Sequence, residues 1–153
     1  MTAMVVTDAG RFLISTDRAK LDVDVIHGFL TGSYWLEGIP RETIVRAIEN
    51  SLCFGVYNGA EQVGFARVIS DFATYAYLAD VFILEPFRER GLGKELIATV
   101  MAHPELQGLR RWSLGTRDAQ FGFTALKNPS RMMEIADTEV YLRSSPGQPR
   151  QRR

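Results

Sequence analysis

The stretch Leu84–Leu96, LEPFRERGLGKEL, sets two glycines two apart behind two arginines, between an apolar run and the start of an amphipathic segment. Glycine in a helix interior costs about 1 kcal/mol relative to alanine, so a pair at a helix start implies a task that side chains would obstruct. The first turn of a helix exposes about four unpaired amide N–H groups and the positive end of a dipole, which together bind anions. Gly91 and Gly93 would let a phosphate touch that backbone, and Arg88 and Arg90 supply donors suited to phosphate oxygens. On the residues alone, a pyrophosphate cradle and a plain turn flanked by solvated arginines are both open. The stretch lacks the GxxxxGK[ST] of a nucleotide P-loop and the third glycine of a dinucleotide fingerprint.

The surroundings place this stretch in an α/β fold. Before it lies TYAYLADVFIL (Thr74–Leu84), apolar on both alternations except for Asp80, the pattern of an interior strand covered on both faces. After it, Leu92, Leu96, Ile97, Val100 and Met101 share a helical face up to His103-Pro104, and Arg111–Gly115 reads as a further strand. Strand, helix and strand thus form a crossover with parallel strands. Upstream, LCFGVYNGAEQVGFARVIS carries the Asn58-Gly59 signal of a hairpin. Two helices are predicted before it, one within Leu21–Leu30 with Asp17 or Asp22 as cap, the other with Pro40 at its first position and Ile44, Val45 and Ile48 as its stripe. Arg11–Thr16 reads as a first strand and Met132–Leu142 as one or two last strands.

The 153 residues, 46% hydrophobic and 24% charged, suit one core. We therefore expect a single domain over residues 1–143 and a disordered basic tail over 144–153. Eighteen basic and eighteen acidic residues leave no net charge to attract nucleic acid or a membrane surface. With no long apolar run and no signal-like beginning in MTAMVVTDAGRF, a cytoplasmic protein is expected. Cys53, the single cysteine, falls in an apolar run and reads as a buried, inert thiol. His27 and His103 have no partners at ligand spacing, so no metal is expected.

The spacing Arg88-x-x-Gly91-x-Gly93, in this order of elements, resembles the acetyl-CoA-binding motif of the GNAT acetyltransferase superfamily. SYWLEGIP, FGVY, QVGFARV, YLADVF and LKNP are similar to a small bacterial subgroup. The resemblance implies a GNAT-like α/β fold: a mixed sheet of six to seven strands flanked by helices, with parallel fourth and fifth strands splayed to admit acetyl-CoA. It places the pyrophosphate on Arg88, Gly91 and Gly93 and on the amides of Arg90, Leu92 and Lys94, with Glu89 in the same loop. The pantetheine arm would pair along Val81, Phe82, Ile83 and Leu84, and the reaction implied is N-acetylation of a small-molecule or peptide amine by direct attack. Asp80 would assist the amine, against the alternative of an aspartate held by backbone or by an arginine such as Arg67. Tyr34 and Trp35 would line the acceptor side, against the alternative of a loop pinned to the core. Tyr75 and Tyr77, on one side of the strand, would either reach the cleft or pack across strands, and pairing as a homodimer is open.

One departure stands out. The family follows its fifth strand with a helix and a Tyr-x-x-x-Gly-Phe segment, whereas this chain reads TRDAQFGFTAL, with Gly122-Phe123 present and the tyrosine absent. Either the segment is shortened, which suits a catalytically degraded acyl-CoA sensor, or the chain as read lacks a piece between Ala119 and Gln120. The intact Phe121-Gly122-Phe123 favours the latter.

Overall fold

The computed structural model describes residues 4–7, 11–115 and 123–143. Among these, six strands form one mixed sheet in chain order: β1 (Met4–Thr7), β2 (Phe12–Ser15), β3 (Leu52–Asn58), β4 (Glu61–Ser70), β5 (Tyr75–Ile83) and β6 (Arg111–Ser113). Neighbours from β1 to β5 are antiparallel, and β5 and β6 are parallel, as the crossover reading requires. The loop-tip signal at Asn58-Gly59 closes the β3–β4 hairpin, where Asn58 pairs with Glu61 and Gly59 takes a φ of 61°.

Among the described residues, three α-helices cover the sheet: α1 (Val23–Leu30), α2 (Arg41–Glu49) and α3 (Leu92–Ala102). Asp22 caps α1, accepting from the amides of Asp24 and Val25, while Asp17 caps a single helical turn just before it. Pro40 stands at the N-cap of α2 rather than at its first helical position, one residue earlier than expected. Ile26 and Leu30 of α1 and Ile44 and Ile48 of α2 bury against Cys53, Phe65 and Phe82 on one sheet face. Leu92, Leu96, Ile97 and Val100 of α3 bury against Phe12, Ile14, Phe54, Val56 and Val68 on the other. Each such side chain contributes about 1.5–3 kcal/mol on burial, so both faces hold their helices firmly.

Two expectations fail. Strand β1 was not foreseen, its MVVT being too short to show a period. Met132–Leu142 forms no strand; it runs extended from a turn at Pro129–Arg131 to another at Val140–Leu142. Met133 and Ile135 are fully exposed there, so the apolar pattern has no sheet edge to pair with among the described residues. The interior-strand reading of TYAYLADVFIL holds for only part of its length, since Tyr75 and Tyr77 are each 37% exposed. The tail over 144–153 and Thr116–Gly122 lie outside the described residues.

Candidate functional site

Parallel pairing between β5 and β6 covers only Tyr75–Arg111, Ala76–Trp112 and Tyr77–Ser113. From Leu78 to Ile83, β5 therefore continues with no strand beside it on that flank among the described residues. Within this open half the strand is bulged. Phe65 pairs with Phe82 and Arg67 with Ala79, so Ala66 alone faces both Asp80 and Val81, and Asp80 adopts a φ of 55°. A bulge bends its strand and increases the local twist, here where β5 leaves its parallel neighbour. A left-handed backbone at a non-glycine residue costs on the order of 1–2 kcal/mol and persists where its surroundings enforce it.

Those surroundings are polar and specific. The Arg67 Nε donates to Asp80 Oδ2 at 2.7 Å, and the Trp35 indole N–H donates to Asp80 Oδ1 at 3.1 Å. The Arg67 Nη1 also donates to Ser51 Oγ at 3.2 Å, and Arg18 Nη2 to the Ser51 carbonyl at 3.0 Å. The Asp80 side chain is 4% exposed and that of Arg67 15%, so this is an interior ion pair. Cys53, the strand partner of Arg67 on β3, is buried, which pushes its thiol up to about 12, with the Arg67 charge opposing the rise. At neutral pH it is an unreactive thiol, as its apolar run indicates.

The α1–α2 loop brings the aromatics to this point. The Tyr34 and Trp35 rings meet edge-on at 5.1 Å, and Phe29 links Trp35 (6.2 Å) to Phe82 (stacked at 4.0 Å). Tyr34 is 62% and Trp35 39% exposed, so each presents a ring to solvent beside the buried carboxylate. Tyr75 and Tyr77 project from the face of β5 that carries Arg67 and Ile69 on β4, since Ile69 pairs with Tyr77 and Arg67 with Ala79. The Tyr75 hydroxyl contacts Ser113 Oγ across the parallel pair.

At the other end of β5, a turn at Glu85–Phe87 leads into Arg88, Glu89 and Arg90 and then into α3. Glu89 has φ 64° and Gly91, the N-cap, φ 78°, so left-handed residues alternate along a loop that ends at the amides of Leu92, Gly93 and Lys94. Such alternation turns successive backbone N–H groups to one side, as in anion-binding nests. Arg88 Nε donates to the Ile83 carbonyl at 2.8 Å, tying the loop to the end of β5, and the Arg90 guanidinium lies 5.7 Å from the Phe87 ring centroid. The two glycines differ. Gly91 is required by its backbone angle, whereas Gly93 has no such angle, and a Cβ built on it meets nothing within 4 Å. The fold does not demand glycine at 93.

The structure thus gathers Tyr34, Trp35 and Asp80 at one end of the open half of β5, with Tyr75 and Tyr77 on the sheet face beyond. It puts Arg88–Lys94 at the other end, with Val81–Leu84 between them. Sequence reading named Arg67 as a partner for Asp80 but missed Ser51, the bulge, and the left-handed Glu89. A lone arginine in GFARV one hairpin away from a lone aspartate in YLADVF was the available signal. His27 Nε2 lies 2.9 Å from the Ile39 carbonyl, and His103 Nδ1 accepts the Glu105 amide at 3.2 Å. Among the described residues, no group of three or more His, Cys, Asp or Glu is placed to hold a metal ion, and no helix is long and apolar enough to cross a membrane.

The model of the Acetyltransferase (GNAT) family matches residues 22–125, from the cap of α1 to beyond β6. The chain belongs to the GNAT acetyltransferase family. It is 35% identical over 132 residues to "Putative acetyltransferase FG08082" of Gibberella zeae, covering 71% of this chain and 73% of that protein. A GNAT-family crystal structure from Xanthomonas campestris pv. campestris superposes with a TM-score of 0.82 at 48% identity, over 85% of this chain and 96% of that one. A structure from Deinococcus radiodurans, at 19% identity and TM-score 0.59 over 90% of this chain and all of its own, shares the fold. The GNAT match contains Asp80, Arg88, Gly91 and Gly93.

Proposed function

We propose that the protein transfers an acetyl group from acetyl-CoA to a primary amine by direct attack. The observation that carries this reading is Gly93: at a helix start it costs stability, the fold leaves it free to be any residue, and it sits among exposed Arg88, Arg90 and Lys94. A ligand that must touch the backbone explains the glycine; packing does not. Family membership names the ligand class.

In this reading, the amides of Arg90, Leu92, Gly93 and Lys94 and the Arg88 side chain hold the pyrophosphate, with Glu89 and Gly91 setting the loop's shape. The pantetheine arm lies along Val81–Leu84, which brings the thioester towards the bulge. Tyr34 and Trp35 flank the amine, with Tyr75 and Tyr77 on the same sheet face. Each Asp80 oxygen accepts one hydrogen bond and keeps a lone pair with which to hold the ammonium or take its proton through water. The amine nitrogen bonds to the carbonyl carbon, the carbon–sulfur bond breaks, and the thiolate takes a proton from water; a thiol pKa of about 8.5 makes it a workable leaving group.

The test is thiol release from acetyl-CoA with phenethylamine, spermidine, glycinamide and a lysine peptide. We expect at least one to raise the rate well above the amine-free rate, and Asp80→Asn to lower it tenfold or more with acetyl-CoA affinity unchanged. Saturable binding with no amine-dependent release would identify an acyl-CoA sensor instead. Wild-type turnover by Asp80→Asn would remove Asp80 from the mechanism.

A further inference from the structure

We infer that Arg67 is the positioning residue of the amine side: its ion pair holds Asp80 in its bulged conformation and, through Asp80, fixes the Trp35 indole at the open half of β5. The inference rests on the proposed acetyl transfer and adds to it a residue that touches neither co-substrate nor amine.

A carboxylate 4% exposed needs a partner, because an unpaired buried charge is costly. Arg67 supplies the pairing at 2.7 Å and is itself held by Ser51 Oγ at 3.2 Å. The groups around Asp80 are few. Cys53 on β3 is a neutral thiol, Arg18 reaches the cluster through the Ser51 carbonyl, and the Trp35 indole is uncharged. Arg67 is thus the cation paired with Asp80.

Four segments converge on this carboxylate: β4 through Arg67, β5 through Asp80 itself, the α2–β3 connection through Ser51, and the α1–α2 loop through Trp35. Such a pair gives little net stability compared with apolar side chains of the same volume. It does hold a left-handed aspartate and a 39% exposed tryptophan in one arrangement. Losing the Arg67 guanidinium removes the bond to Asp80 Oδ2, which frees the carboxylate to turn and loosens the acceptor of the Trp35 N–H.

The chain has two tryptophans, so Trp112→Phe leaves Trp35 as the sole reporter. In that background, Arg67→Gln should raise iodide quenching of Trp35 emission at least twofold at neutral pH, and Arg67→Lys should restore the parent value. With the best amine of the panel, Arg67→Gln should raise the amine KM at least tenfold and leave the acetyl-CoA Kd within twofold. Parent-like quenching in Arg67→Gln overturns the inference whatever acetyl-CoA does, because that readout needs no ligand. If Arg67→Gln fails to fold, Ser51→Ala, which removes a support of Arg67 and leaves Asp80 and Trp35 in place, decides: raised Trp35 quenching with a higher amine KM supports the inference, and parent-like values overturn it. Absence of acetyl-CoA binding by the parent protein would sink acetyl transfer itself, and with it the role assigned to Arg67.

Discussion

The two ends of the open half of β5 are built on opposite plans. At Asp80, an unfavourable backbone angle is held from inside by an ion pair, an indole N–H and a serine, all within the fold. At Glu89–Gly93, equally unusual angles lie in an exposed loop whose main internal tie is one bond from Arg88 to the end of the strand. In the proposed reaction, the first end holds its shape without a ligand and the second receives the charged co-substrate, so interior bonds preset one reacting group and surface chemistry captures the other.

The contrast can be broken most forcefully at its interior end. Arg67→Met strands a buried carboxylate and should lower unfolding free energy by about 3–5 kcal/mol. Arg67→Met combined with Asp80→Asn should recover most of that loss in urea denaturation, and equal losses for single and double variants would deny the pairing. At the exposed end the glycines should separate fold from function. Gly91→Ala, forced to hold φ 78°, should lose on the order of 1–2 kcal/mol. Gly93→Ala should gain about 0.5–1 kcal/mol while weakening acetyl-CoA binding tenfold or more. A Gly93→Ala protein that binds as tightly as wild type would make the glycine incidental.

How much of this the sequence carried follows from how local each signal is. Gly91 and Gly93 pointed to the proposed cradle because a left-handed angle, seen at Gly91, and close approach of a ligand, proposed at Gly93, select glycine directly. TYAYLADVFIL and Asn58-Gly59 placed the strands around it for similar reasons. The ion pair could only be named as an option, since it needs the hairpin register that sets Arg67 opposite Ala79, beside the bulge. Met132–Leu142 misled because an apolar pattern states which residues would bury and not whether a neighbour is there to receive them. The part proposed for Asp80 in the reaction is a matter of site chemistry that a strand pattern does not encode.

Smaller effects sharpen the interior side. Burial lowers the His103 pKa, and its Nδ1 must stay unprotonated to accept the Glu105 amide. With the folded value below the unfolded one of about 6.5, its contribution is present above that pH and lost as pH falls through the folded value. Urea midpoints should therefore drop on acidification below about pH 6.5, and less so in His103→Gln. Cys53, pushed up to about 12 by burial, should ignore a thiol reagent at pH 8 until the protein unfolds. Its neutral thiol contributes stability below an unfolded pKa of about 8.5, lost as pH rises towards the folded value. Rapid native-state labelling would show that the Arg67 surroundings open far more readily than their burial implies.

The most direct test of the central claim is a calorimetric titration of the purified protein with acetyl-CoA, alongside a Gly93→Glu variant whose circular dichroism and thermal midpoint match the parent. Saturable one-to-one binding that the variant loses is the result predicted for a pyrophosphate held on the α3 backbone. Absence of binding in the parent, or undiminished binding in the variant, would contradict it.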